Sequence, residues 1–129
     1  MDSNILSFAS IARKAGRLEL GCDNIVSAAG TRRVKLVLAS SDISENTMSE
    51  IGQICGRKDI PVVRVDFSKG EMGKAFGLQS CAAIGFTDAG FAKAAAQKIG
   101  DDELLEKLSA NEQRAARRLA KKHRGKSNM

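Results

Sequence analysis

Apolar positions at Ile5, Phe8, Ile11, Ala12 and Ala15 follow helical spacing and predict a helix over residues 4–15 that stops at Gly16. Leu18-Glu19-Leu20 alternates over a run short enough for an edge strand. Gly21 then precedes a helical stretch from Asp23 to Ala29, closed by Gly30. Leu36-Val37-Leu38-Ala39 is apolar without interruption, as a strand covered on both faces should be. Asp42-x-x-Glu45 has the form of a capping box, and the helix it predicts buries Met48, Ile51 and Cys55 and ends near Gly56-Arg57-Lys58. Pro61 to Val65 reads as a strand with the chain's one proline at its start, where no ladder donor is lost. Ser68-x-x-Glu71 is a second capping box, opening a short helix to Phe76. Ala82 to Phe86 reads as a strand, and Asp88 as the cap of a helix through Ile99. Helices and short strands alternate with brief connections, which predicts an α/β fold with a sheet between helix layers.

From residue 101 the character changes, so the expected division is a body over residues 1–100 and a basic amphipathic helix or tail over 101–129. Asp101-Asp102-Glu103 suits a helix N-terminus, and Ser109-x-x-Glu112 is a third capping box. At about 100° per residue, Ala115, Ala116, Leu119 and Ala120 share an arc of roughly 140°. Arg114, Arg117, Arg118, Lys121, Lys122 and Arg124 fill the rest. The alanine-rich arc is too weak for membrane insertion; it suits docking on the body with a basic ridge facing outward.

The chain has 129 residues, 43% hydrophobic and 28% charged, which accommodates one core and excludes wholesale disorder. No apolar run approaches the roughly 18 residues of a membrane span, and the start lacks a basic signal region. A cytoplasmic location without membrane contact is therefore expected. Lys and Arg number 21 against 15 acidic residues, and residues 113–129 hold seven of the basic residues and none of the acidic. Residues 1–40 carry six basic and three acidic residues, residues 41–112 eight and twelve. A basic tail and a mildly basic N-terminal face on an acidic body point to a polyanion met from one side, most commonly nucleic acid; added solubility is the plainer reading. Cys22, Cys55 and Cys81 form no C-x-x-C and read as reduced, small hydrophobes.

Enzyme chemistry finds little support. The one histidine, His123, lies in the tail, so no Cys-His or Ser-His-Asp set can be assembled in the core. Gly70 to Gly77 is glycine-rich but fails as a phosphate loop at Ser68 and Ala75; its glycines are expected to permit close helix–sheet approach. Asp42 stands where a receiver-type phosphoacceptor would, yet Leu18-Glu19-Leu20-Gly21 lacks the acidic pair such a site uses for magnesium. No enzyme activity, cofactor, metal or small-molecule substrate is expected.

Five Phe and no Trp or Tyr, each Phe within an apolar pattern, disfavour readout of single strands by stacking. Folded RNA recognised by helix ends, amides and basic side chains fits better. The stretch Leu20 to Ser27 is the candidate. Gly21 allows close backbone approach, and free N–H groups at a helix start attract phosphate. Asp23 and Asn24 offer groups for base edges; they also suit plain helix caps, and spacing leaves both readings open.

Gly21 to Lys35-Leu36-Val37, Ser68-Lys69 and Gly73 to Ala83 resemble the kink-turn-binding ribosomal protein superfamily, the group of archaeal large-subunit protein seven-Ae and its relatives. Ala12-Arg13-Lys14-Ala15-Gly16, Lys35-Leu36-Val37-Leu38 and Thr87-Asp88-x-Gly90-Phe91-Ala92 resemble its bacterial YlxQ-type branch. The resemblance covers about Ile5 to Lys98. It implies a three-layer α/β/α sandwich around a four-stranded mixed sheet, and binding to kinked RNA with sheared G·A pairs. In that family a Gly-x-Asn-Glu-x-x-Lys stretch meets the guanine edges and a later apolar loop covers a flipped-out nucleotide. Here Gly21 matches, while Asp23, Asn24 and Ser27 stand at the Asn, Glu and Lys positions, and Leu20 replaces a basic residue.

The expected RNA-binding set is accordingly Arg17, Gly21, Cys22, Asp23, Asn24, Ser27, Arg32, Arg33, Leu78, Gln79 and Ser80. Arg13 and Lys14 are further cations near it, and Arg114, Arg117, Arg118, Lys121 and Lys122 would make secondary phosphate contacts. The expected partners are structured RNA, ribosomal or otherwise kinked, together with ribosomal proteins. The alternative is a protein-interaction module of the translation machinery that touches RNA only through its tail.

Overall fold

The structure, a computed structural model, describes residues 4–127, with side chains as far as Lys121. In chain order the elements are α1 (Asn4–Lys14), β1 (Leu18–Leu20), α2 (Cys22–Gly30), β2 (Leu36–Ala39), α3 (Glu45–Arg57), β3 (Val62–Arg64), α4 (Lys69–Ala75), β4 (Ala83–Phe86), α5 (Ala89–Ile99) and α6 (Asp102–Ser127). The strands form one mixed sheet in the order β1-β4-β2-β3, with β4 antiparallel to both β1 and β2, and β3 parallel to β2. This is the expected α/β sandwich with an added C-terminal helix.

Residue parity in the central strands decides the layers. Leu36, Leu38, Ile84 and Phe86 enter a core with Ile5, Ala9 and Ala12 of α1, Met72 of α4 and Ala92, Ala95 and Ala96 of α5. Val37, Ala39 and Ala83 enter the other core, against Ile25, Ala28 and Ala29 of α2 and Ile51 and Cys55 of α3. Both β2 and β4 are buried throughout, as uninterrupted apolar strands should be, and β1 and β3 form the half-buried edges. Phe67, Phe76 and Phe86 are buried. Phe8 lies 6.0 Å from Phe86 and 5.6 Å from Phe91 between ring centroids, so all five rings serve the core.

Of the three capping boxes expected, one forms. Ser68 Oγ accepts the Glu71 N–H at 3.1 Å and Glu71 Oε1 accepts the Ser68 N–H at 3.1 Å. Asp88 caps α5 as expected, accepting the Phe91 N–H at 3.0 Å. The box at Asp42 and Glu45 does not form. Ser44 caps α3 instead, with extended backbone that brings its Oγ 3.2 Å from the Thr47 amide. Asp42 is drawn to a different helix start and accepts the Lys69 N–H of α4 at 2.8 Å. The box at Ser109 is also absent, because α6 is continuous and its cap is Asp101, which accepts the Leu104 N–H at 3.0 Å. Leu104, Leu105 and Leu108 carry the helix through Ser109 by packing it into the core beside α5.

Asp59, in the turn between α3 and β3, fastens the next part of α6. Its carbonyl accepts from Asn111 Nδ2 at 2.8 Å, and its carboxylate lies 3.4 Å from Lys107 Nζ and 2.7 Å from Arg114 Nη2. The expected docking of the alanine-rich arc needs correction. Ala115 is half-buried, but Ala116 and Ala120 are exposed and Leu119 is 58% exposed. The 26 residues of α6 span about 39 Å against about 16 Å for the 11 of α5, so the distal turns outrun the surface available to cover them. Among the described residues, no helix is long and apolar enough to cross a membrane.

Two stability effects follow. Leu108→Ala should cost about 2–5 kcal/mol in urea unfolding, because it empties a buried site. The hydrogen bond from Lys69 N–H holds the Asp42 carboxyl below its ordinary value. Its stabilising contribution is therefore present above the unfolded-state value of about 3.9 and lost as pH falls through the lower folded-state value. Asp42→Asn should lower the melting temperature at neutral pH, with the gap from wild type closing in strong acid.

Candidate nucleic-acid interface

Gly21 is the N-cap of α2, with φ 90° and ψ 151° and no side-chain capping bond. A side chain at this φ would be strained, which is the physical reason for glycine here. The first bond within α2 runs from the Ile25 N–H to the Gly21 carbonyl at 3.1 Å, so the amides of Cys22, Asp23 and Asn24 precede the helical ladder. Asp23, Asn24 and Ser27 are exposed, and Gly21 and Cys22 are half-buried. Neither Asp23 nor Asn24 caps the helix. Asn24 Nδ2 turns back to donate to the Leu20 carbonyl at 2.8 Å. That bond braces the turn and leaves the carboxamide oxygen as an acceptor.

Pairing of β1 with β4 sets what lies beside this turn. Leu20 stands opposite Ile84, and the Gly21 N–H donates to the Ala83 carbonyl at 3.0 Å. The segment preceding β4 is thereby brought to the same end of the sheet. Leu78, Gln79 and Ser80 are all exposed there, with Leu78 at 42%. Their loop is held by the Leu78 N–H to the Gly73 carbonyl and the Cys81 N–H to the Lys69 carbonyl, both at 2.8 Å. A Cβ on Gly73 would lie 2.6 Å from Ser80 Cα, so the glycine expected to permit helix–sheet approach in fact permits α4 to touch this loop.

Arg13 joins the same end, its Nη1 donating to the Phe76 carbonyl at 2.8 Å and its guanidinium 6.0 Å from the Phe76 ring centroid. A cation at the C-terminus of α4 complements that helix's dipole. Below the turn, Cys81 Sγ donates to the Ala83 carbonyl at 3.3 Å. Burial, then the neighbouring Cys81, pushes the Cys22 thiol up; burial also raises Cys81 and takes Cys55 to about 11. All three cysteines are free thiols, uncharged at neutral pH.

The remaining expected residues are not brought to this surface. Arg32 and Arg33 follow the far end of α2, roughly 13 Å from Gly21 at the rise of an α-helix. Arg33 Nη1 pairs with Glu19 Oε1 at 2.8 Å. Arg17 lies at the opposite end of β1, its carbonyl accepting the Thr87 N–H at 3.0 Å. Arg114, Arg117, Arg118 and Lys121 are exposed on α6, whereas the Lys122 side chain lies outside the described residues. Sequence reasoning missed Asp59 as the anchor of α6. The one available signal was the Leu104, Leu105 and Leu108 stripe, which calls for a docked helix and hence for a partner in the body.

A mixed sheet in this order, with a glycine-started helix beside an exposed loop before the antiparallel strand, defines a class, and comparison with known proteins agrees. The chain belongs to the ribosomal protein L7Ae/L30e/S12e/Gadd45 family, whose model matches residues 3–96. It is 29% identical over 82 residues to the RNA-binding protein YlxQ of Bacillus subtilis, an alignment covering 64% of this chain and 81% of that protein. These matches bear out the superfamily and the YlxQ-type branch expected from the residues. The solved structure of a protein with unknown function from Bacillus halodurans C superposes with a TM-score of 0.70 at 32% identity, covering 78% of this chain and 100% of the other.

The tight contact at Gly73 gives a direct test of the loop. Gly73→Ala should lower stability by about 1–3 kcal/mol and shift the backbone amide resonances of residues 77–81 while leaving those of α3 in place.

Proposed function

We propose that the chain is a non-enzymatic RNA-binding protein that recognises folded, kink-turn-like RNA through the end of the sheet formed by Gly21 and Leu78, and that it acts in association with ribosomal RNA in the bacterial cytoplasm. The observation carrying this reading is the left-handed glycine that starts α2 and leaves three amides ahead of the helical ladder, beside an exposed loop. Such amides, aided by the helix dipole, suit a phosphate at the point where the RNA backbone bends. Asp23 supplies an acceptor for amino and imino groups on base edges, and Asn24 supplies a carboxamide oxygen. Leu78 gives an apolar cover for an extruded base. With every Phe in the core, shape and edge contacts are the means of readout available to this surface.

The name of the YlxQ relative supports RNA as the partner. Asp23 and Asn24 carry the carboxylate and carboxamide in the reverse of the usual family order, and Ser27 brings no cation. Affinity is then supplemented by the sequence-independent attraction of Arg114, Arg117, Arg118 and Lys121 on α6.

Titration with a kink-turn RNA, and with the same RNA lacking its sheared G·A pairs, tests the reading. Wild type should prefer the kinked RNA. Asp23→Ala with Asn24→Ala should weaken that binding by about 10–100-fold, the loss of contacts of roughly 1–3 kcal/mol. Equal affinity of wild type and the double variant for both RNAs would sink it.

A further inference from the structure

Several of the cations absent from the Gly21 surface meet at the opposite end of the sheet. A cleft of about 300 Å³ opens between the end of α2, the turn after α3 and the middle of α6. Arg32, Lys35, Arg57, Lys58, Arg114 and Arg118 line it, against two acids, Asp59 and Glu112. Both acids are already engaged, Asp59 by Lys107 and Arg114 and Glu112 by Lys93 at 2.8 Å. Among the described residues, Arg32, Lys35, Arg57, Lys58 and Arg118 have no carboxylate partner. The walls behind them include Val34, Ile60 and Leu108, all buried. Cations around a hollow with apolar walls focus positive potential instead of dispersing it into water.

The backbone holds these cations in place. Arg32 (φ 57°) and Asp59 (φ 60°) are the non-glycine residues with left-handed φ among those described, and both line the cleft. Lys35 Nζ, donating to the Arg32 carbonyl at 3.1 Å, helps to hold the first of them. Each is the left-handed residue that closes a helix, α2 with the Arg33 N–H donating to the Ala28 carbonyl at 2.9 Å and α3 with the Ile60 N–H donating to the Cys55 carbonyl at 2.8 Å, so the rim of the cleft is fixed by two helix ends.

We propose that this cleft binds the phosphodiester backbone of a second RNA segment, distinct from the one met by the Gly21 turn, so that one chain bridges two segments. Four of the six cations are arginines, whose planar forks match paired phosphate oxygens. Beyond the cleft, α6 continues with Arg117 and Lys121 exposed along its length, a track that a polyanion longer than a single phosphate group would follow. The proposal rests on the preceding reading only for the identity of the polyanion. The two surfaces lie at opposite ends of the sheet: Gly21 follows β1, whereas Lys35 precedes β2 and Ile60 precedes β3, strands that run the same way.

The test uses the full chain and a fully paired RNA duplex of about 20 base pairs, which has no kink for the Gly21 turn to read. Arg57→Glu with Arg118→Glu should weaken duplex binding about tenfold or more and flatten the dependence of log affinity on log salt by about two. The same charge change on exposed residues outside the cleft and off α6, Arg64→Glu with Lys98→Glu, should cost about threefold or less. Arg57→Gln with Arg118→Gln, checked for an unchanged melting temperature, should give an intermediate loss. Wild type should also capture a labelled duplex on immobilised kink-turn RNA, and the Glu cleft variant should hold the kink-turn RNA alone. Equal losses from the cleft and outer pairs, wild-type binding by the cleft variants, failure of wild type to bind the duplex, or tighter binding of polyglutamate than of duplex would each overturn the cleft. If Asp23→Ala with Asn24→Ala leaves kink-turn binding intact while the cleft variants lose the duplex, the Gly21 reading fails and the cleft stands.

Discussion

Where β1 ends against β4, the Gly21 amide donates to the Ala83 carbonyl at 3.0 Å, and the antiparallel pairing it completes is what makes a surface out of two distant pieces of chain. Without it, the start of α2 and the loop of Leu78, Gln79 and Ser80 would be two unrelated exposed turns. With it, one register decides both. Leu20 faces Ile84, so the residue after β1 and the residues before β4 must leave the sheet together. Gly73 completes the constraint from beneath, because a helix with any side chain there could not approach Ser80 so closely. Two glycines with different duties, one conformational and one steric, therefore shape a single interface.

Much of the fold was legible because the central strands carry their own evidence. Leu36 to Ala39 is apolar at every position, and a strand buried on both faces has no polar side to show. The Ser68 box and the Asp88 cap were equally readable, since each involves groups within three residues of one another. What failed was competition between distant partners. Asp42 fits a local box with Glu45 by spacing, but a helix start 27 residues away offers it an amide, and Ser44 is left to cap α3. Ser109 fits a helix start by spacing, but Leu104, Leu105 and Leu108 fix the chain as helix before that point is reached. Capping motifs state what an end would look like if the chain ended there; burial decides whether it does.

The candidate site was legible in a similar, partial way. Gly21 before a helical stretch, and an exposed loop after a glycine-rich helix, are both sequence signals. The grouping of cations was not, because charge proximity depends on helix length and strand direction. Arg32 and Arg33 stand near Gly21 in sequence, but nine residues of α2 carry them to the other end of the sheet. Arg33 is there consumed by Glu19, whereas Arg32 faces a cleft shared with α3 and α6. A net charge of +6 points to a polyanion without saying where it is met; the fold gathers six of the cations around one cleft.

The attachment of α6 shows why that cluster can be probed without unfolding the protein. The ion pairs at Asp59 are partly exposed, with side chains near half accessibility, and pairs of this kind contribute little and are screened by salt. Leu104 and Leu108 are buried, and apolar burial is insensitive to moderate salt. Rising ionic strength should thus strip polyanions from the cleft while α6 stays seated by its leucines. The positive charge of Arg114 is offset by Asp59 in the free protein, so the cleft residues left to attract phosphate are those without a carboxylate partner, Arg32 and Lys35 after α2, Arg57 and Lys58 around the end of α3, and Arg118 on α6. Leu108 is buried behind the cleft while Arg57 and Arg118 are exposed in front of it, and that layering allows one helix to be both a structural element and a binding surface.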